Sequence, residues 1–208
     1  MALVDSDLVI RVLRRPQALR DFGSADFDLL LRQAARADLL ARLALQIEAA
    51  GLQDLLPAAF AAHLDGSLRK LRAHRAEVLR EVAFLEQALQ PLGVPLLLLK
   101  GGAYVLADLP AAQGRLFSDI DILVPKARLT EVESALMQHG WVGTHHDAYD
   151  QRYYRQWMHE LPPMVHLRRA TALDVHHTLT PETSRWPVDA ASLLAAAVAV
   201  PGHSGCRW

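Results

Sequence analysis

Two aspartates, a lysine and a pair of glycines carry the chemistry this sequence suggests. Between Pro95 and Pro125 the chain reads PLLLLKGGAYVLADLPAAQGRLFSDIDILVP. One apolar run ends in Lys100-Gly101-Gly102, and a second carries Ser118-Asp119-Ile120-Asp121. Side chains alternate across a strand, so Asp119 and Asp121 project from one face while Ile120 and Ile122 point to a core. Adjacent carboxylates repel each other unless a cation lies between them, and the pair therefore predicts a divalent metal site. Glycines have no Cβ, so at a strand-to-helix turn their backbone N–H groups can approach a phosphate closely. The bland alternative, a pair of solvent-facing strand residues, is disfavoured because two carboxylates inside an otherwise apolar strand are unusual.

The elements that must position these groups follow from hydrophobic periodicity. Residues 1–90 read as a helical region, with helices expected over 5–15 and 25–50. Ser24 is the expected N-cap of the second helix and Gly51 its stop. A third helix is expected from Pro57 to Gln90, with Gly66 a candidate interruption. After Gly93 the pattern changes to strand over 94–99, helix over 103–109, strand over 117–124, helix over 126–139 and strand from Trp141. In the second of these helices Leu129, Val132, Leu136 and Met137 are expected to face inward. The polar segment 144–160 reads as a loop or edge hairpin. Strands are expected over 164–167 and 171–179, joined by Arg168-Arg169-Ala170, and a last helix over 187–199. In the second of these strands Asp174 and His176 share one face, Leu173 and Val175 the other. The expected fold is α+β, with a helical N-terminal region (1–90) followed by a small mixed sheet flanked by helices (91–208). The final Gly205-Cys206-Arg207-Trp208 reads as the start of a further element, an expectation of truncation.

Bulk composition narrows the classes. The chain has 208 residues, 51% hydrophobic and 22% charged, which supports a sizeable core. A net charge of −1 argues against a global electrostatic nucleic-acid binder. The basic run Arg69, Lys70, Arg72, His74 and Arg75 is read as a solvated helix face partnered by Asp65, Glu77 and Glu81 rather than as a phosphate surface. The lone Cys206 cannot form an internal disulfide. Leu193–Val200 is too short to span a bilayer. With no signal layout in MALVDSDLVIRVLRRP, the expectation is a soluble, cytoplasmic protein without membrane contact.

Strand, Lys-Gly-Gly, helix, Ser-Asp-Ile-Asp and a later strand aspartate together resemble the polymerase-β-like nucleotidyltransferase superfamily. The closer likeness is to a bacterial family of largely uncharacterised nucleotidyltransferases, through LLLLKGGA (96–103), RLFSDIDILV (115–124), HELPPMVH (159–166) and LDVHHTL (173–179). The resemblance implies Mg2+ (or Mn2+) held by three carboxylates, Asp119, Asp121 and Asp174, with an NTP as co-substrate. It also implies that Gly101 and Gly102 hold the triphosphate, and that Asp174 lies near the attacking hydroxyl. Gly102 stands where the superfamily pattern has serine, so a hydroxyl contact is missing that Lys100 or Ser118 can partly replace. Lys100 can equally be an exposed charge. Arg115 can neutralise phosphate or pair with Asp108.

Other polar residues carry weaker readings. His176 can orient Asp174 or be structural. His159 and Glu160 can form part of a substrate wall, but Pro163 stands where a helical HExxH zinc motif needs histidine. His145, His146, Tyr149, Tyr153 and Tyr154 are read as a polar loop. The expected function is metal-dependent transfer of a nucleoside monophosphate to an unknown acceptor: a small molecule, an RNA end or a protein. Some superfamily members are toxins that modify tRNA, which adds a toxin role as a variant of that reading. The alternatives are a metal-dependent nucleotide-sugar glycosyltransferase, which also uses DxD, and a non-catalytic regulator that retains the fold.

Overall fold

The computed structural model describes residues 7–145, 147–181, 183–200, 202–203 and 205–208. The expected helix residues 5 and 6, and His146, lie outside these. Two compact units emerge. One comprises Met1–Ala76 with Pro110–Leu116, the other Glu77–Leu109 with Phe117–Trp208. Among the described residues no helix is long and apolar enough to cross a membrane.

The first unit is helical. Helix α1 spans Leu8–Arg14 and stops before Pro16, which opens a 3-10 turn over Pro16–Asp21. The expected helix over 25–50 is two helices, α2 (Ser24–Arg36) and α3 (Leu40–Ala49). They are separated at Asp38, whose φ of 55° lies in the left-handed region that aspartate tolerates better than most residues. Ser24 is already inside α2. The residue before it, Gly23, donates its N–H to Asp26 Oδ2 at 2.9 Å. Gly51, at φ 65°, ends α3 as expected. Phe27, Leu30, Ala34, Leu43 and Ile47 join Val12, Phe60 and Leu64 in the core of this unit. Phe27 stacks edge-on against both Phe22 and Phe60.

Helix α4 runs over Ala58–Leu89 without a break at Gly66. From Glu77 onward it belongs to the second unit, where Val78, Val82, Leu85, Ala88 and Leu89 are buried. Glu81 is buried too, and pairs with Arg169 at 2.6 Å. Arg169 in turn lies 4.5 Å over the Phe84 ring.

The second unit is built on a six-stranded mixed sheet in the order β3-β4-β5-β2-β1-β6. Its strands are β1 (Leu96–Leu99), β2 (Asp119–Leu123), β3 (Trp141–Gly143), β4 (Met164–His166), β5 (Ala172–His176) and β6 (Cys206–Arg207). The central pair β2 and β5 is parallel, whereas β1 pairs antiparallel with β2, and β4 with β5. Helix α5 (Lys100–Leu106) begins directly at the end of β1, three residues before the expected start. Helix α6 (Leu129–Gln138) follows a 3-10 turn and buries Val132, Ala135 and Leu136, while Met137 faces solvent. The segment expected as loop or hairpin contains helix α7 (Ala148–Trp157), capped by Asp147, which accepts from the Tyr149 N–H. Helix α8 is Ala190–Ala196.

Gly66 is tolerated inside α4 and a Cβ there would meet nothing within 4 Å. Alanine removes the conformational entropy cost of glycine in a helix interior. Gly66→Ala is therefore expected to stabilise the protein by about 0.5–1 kcal/mol, read as a higher midpoint in urea unfolding with an unchanged slope.

Candidate active site

The β2–β5 ladder sets the site. Its parallel register places Asp121 directly opposite Asp174, and Asp119 opposite Ala172. Asp119 and Asp121 stand one pleat apart on the same face of β2, as alternation requires. Ser118 donates its hydroxyl to Asp119 Oδ1 at 3.2 Å, so it orients a carboxylate. On the other side of β2, Leu99 is the partner of Asp121. Lys100 therefore enters α5 beside that aspartate, with φ at 43°, and its ammonium ion-pairs with Asp121 Oδ1.

Residues that the sequence reading ranked low complete the cluster. His176, 2% exposed, approaches the same Asp121 Oδ1 through Nε2 at 3.0 Å. Asp121, Asp174 and His176 each offer a ligand atom within 4.8 Å of the others. Asp119 is not in that tight group. Just before β4, Glu160 forms an isolated bridge with His176, and Leu161 and His177 extend the backbone contacts there. This bridge sets Glu160 Oε2 3.3 Å from His176 Nδ1 and 3.6 Å from His159 Nε2. The clue in the sequence was the shared face of Asp174 and His176. The partnership with Glu160 depends on the HELPP segment running alongside β5, which no local pattern encodes.

The electrostatics divide the aspartates. Burial pushes the Asp121 carboxyl up, but hydrogen bonds from His176 and Lys100 outweigh it and hold the group below the usual range. Among the described residues Asp174 gains no such donor. Burial, then the charges of Glu160, Asp119 and Asp121, raise it to about 6. Lys100 is held above its ordinary value, since the hydrogen bond and charge of Asp121 outweigh its partial desolvation. Burial keeps His159 below the ordinary imidazole range. Tyr154, on α7, is raised by burial and by the charges of Glu160, Asp150 and Asp174, which places this helix beside the acidic cluster.

The two glycines do different work. A Cβ at Gly101 would lie 2.6–2.8 Å from the Phe117 ring, so the close approach of that ring excludes any side chain. At Gly102 the nearest atoms would be 3.6 and 3.8 Å away, ordinary contact distances. Both glycines are in the first turn of α5, whose leading N–H groups have no intrahelical acceptor. Arg115 belongs to the first unit, where it lines a cavity with Asp38, Leu39 and Arg42.

With this geometry in hand, a family comparison is decisive for class. The family model described as "Uncharacterised nucleotidyltransferase" matches residues 23–206. The chain belongs to this family. No curated protein and no solved structure matches it. A nucleotidyltransferase needs groups that can handle an anionic substrate. The ammonium of Lys100 and the leading amides of α5 are suitable in kind, and the β2–β5 carboxylates are so only through a bound cation.

Two outcomes follow from the site. Gly101→Ala is expected to destabilise the fold by about 1–3 kcal/mol through overpacking against Phe117, whereas Gly102→Ser should melt near wild type; thermal unfolding of both variants checks this. The second concerns pH. A carboxyl raised from 3.8 to about 6 binds more protons when folded than when unfolded, so its cost to stability grows as pH rises between those values and is full above 6. Asp174→Asn should therefore stabilise the metal-free protein at pH 7.5 by on the order of 1 kcal/mol after solvent screening. That gain should vanish below pH 4, as denaturant midpoints across pH will show.

Proposed function

We propose that this protein moves a nucleoside monophosphate from an NTP to a hydroxyl-bearing acceptor and releases pyrophosphate, using Asp119, Asp121 and Asp174 to hold Mg2+ or Mn2+. The observation that carries this reading is the register match of Asp121 and Asp174 on adjacent parallel strands, beside the N-terminus of α5. The donor set fits a hard divalent cation, since carboxylate oxygens predominate and burial, together with the charges of Glu160, Asp119 and Asp121, disfavours the ionised form of Asp174 when no cation is bound. Bound there, the cations would neutralise phosphate charge and make the acceptor hydroxyl more acidic.

The side chains then take distinct parts. Asp121, kept ionised by Lys100 and His176, is a ready ligand. Asp174, opposite Asp121 on the neighbouring strand, is the carboxylate assigned to accept the proton that the attacking hydroxyl gives up. Lys100 has a side chain 56% exposed on a flexible stem, so its ammonium can turn from Asp121 to a phosphate oxygen. The N–H groups of Gly101 and Gly102 receive further phosphate oxygens. Ser118 steadies Asp119. Family membership favours nucleotidyl transfer over the nucleotide-sugar reading. The acceptor is a small molecule, an RNA end or a protein, met in the cytoplasm where NTPs are abundant.

Incubation of the full chain with α-labelled NTPs, Mg2+ and cell extract should label one class of acceptor. Asp119→Ala, Asp121→Ala and Asp174→Ala should each reduce labelling by more than about a hundredfold, beyond what loss of a residue behind a metal ligand costs, and a chelator should abolish it. Labelling that persists in all three folded variants would refute the assignment.

A further inference from the structure

Behind the carboxylates lies a second cluster of donors of different chemistry. His159, Glu160 and His176 bring one ligand atom each to within 4.8 Å of one another. Glu160 Oε2 is 3.3 Å from His176 Nδ1 and 3.6 Å from His159 Nε2, and neither contact is a formed hydrogen bond. His176 is almost wholly buried, yet its Nδ1 has no hydrogen-bond partner among the described residues.

The other ring nitrogen explains why this matters. Nε2 of His176 faces the oxygen of ionised Asp121 at 3.0 Å, so it carries the proton and donates. In the neutral ring Nδ1 is then a bare lone pair, aimed at a carboxylate oxygen that is also electron-rich. Two acceptors held face to face in a largely buried place are satisfied by a proton or a cation between them. The separations suit a metal ion. Ligands bound at 2.0–2.1 Å to a tetrahedral cation stand about 3.3–3.4 Å apart, close to the two observed distances. A carboxylate that receives the far N–H of a metal-binding histidine is also the usual outer partner of such a ligand, and Asp121 occupies that place.

We propose that His159 Nε2, Glu160 Oε2 and His176 Nδ1 form a binding site for a divalent transition-metal cation of the Zn2+ type, separate from the Asp119, Asp121 and Asp174 carboxylates. Two imidazoles and one carboxylate favour such a cation over Mg2+, which prefers oxygen donors. The fourth position is left to water or to a substrate group. No helical HExxH pattern is involved, because the third donor comes from β5 rather than from the next turn of a helix. Through the His176 ring, a cation here orients Asp121 and links the two clusters.

The test uses untagged, metal-free full-length protein titrated with Co2+ as a spectroscopic stand-in for Zn2+. The expected result is one equivalent of Co2+ with the intense visible bands of four-coordination, displaced by Zn2+ and unaffected by excess Mg2+. Glu160→Gln and His159→Gln should each weaken binding by at least about tenfold. The doubly substituted Asp119→Asn, Asp174→Asn protein should retain the bands at the same wavelengths. Far-UV circular dichroism verifies folding of each variant. His159→Gln, at a partly exposed position, decides the matter if Glu160→Gln does not fold. Absence of four-coordinate bands overturns the proposal, as does insensitivity to His159→Gln or loss of the bands in the double variant. None of these outcomes depends on nucleotidyl transfer, so the two proposals fail separately.

Discussion

The pairing of β2 with β5 brings two carboxylates together where water is scarce, and much of the second unit answers that charge. Asp121 and Asp174 face each other across a ladder whose flanking residues, Ile120, Ile122, Leu173 and Val175, are all buried. The apolar pairs fix the register, because a one-residue slip would turn every side chain of the strand to the wrong face. The same constraint leaves the acids no means of moving apart. Hydrogen-bond donors must come to them, and Lys100 and His176 each supply one at the same oxygen of Asp121. Asp174 is left under-compensated, and its raised protonation range is the residue of that imbalance.

The local backbone is shaped to deliver those partners. β1 turns into α5 with no intervening loop, which requires Lys100 to take a left-handed φ of 43°. Such a conformation is costly for a residue with a side chain and persists where its surroundings compensate. Here the compensation is the ion pair with a buried carboxylate. Gly101 follows because Phe117 presses on the first turn of α5 at a distance no Cβ would allow. Its conservation of space is thus a packing matter, while Gly102 retains room for a side chain. One motif of two glycines therefore combines a steric necessity with a position open to substitution.

Legibility in the sequence varied with how locally each feature is determined. The strands β1 and β2 were visible because a short apolar run bounded by turn residues has few other homes, and the Asp119–Asp121 alternation came with them. Helix α7 was not. Ala148–Trp157 is dominated by Tyr, Arg, Gln and Asp, and Tyr149, Tyr153 and Trp157 stay exposed, so it lacks the apolar stripe that announces a helix. The break at Asp38 leaves no mark in the apolar spacing, which continues across it. β6 has two residues, and its long-range pairing with β1, together with the bridge of Arg207 to Ala199, makes it a strand. At the site, Asp174 and His176 could be placed on one face by alternation alone. The meeting of His176 with Glu160 is a contact between a strand and the segment leading into its neighbour, and periodicity is blind to it.

His176 stands between two acidic groups at the end of β5. Its two nitrogens face two different carboxylates, Asp121 at 3.0 Å and Glu160 at 3.3 Å, from a ring that is itself buried. An imidazole has one proton to share when neutral, so it can satisfy one of these neighbours as a donor and must offer a lone pair to the other. Whatever positive species lies on the Glu160 side therefore sets how firmly the ring donates to Asp121. That in turn governs how much of Asp121's charge remains for Lys100, and hence how readily the ammonium is released. A cation on the Glu160 side, as proposed, would in this way act on Asp121 through the His176 ring.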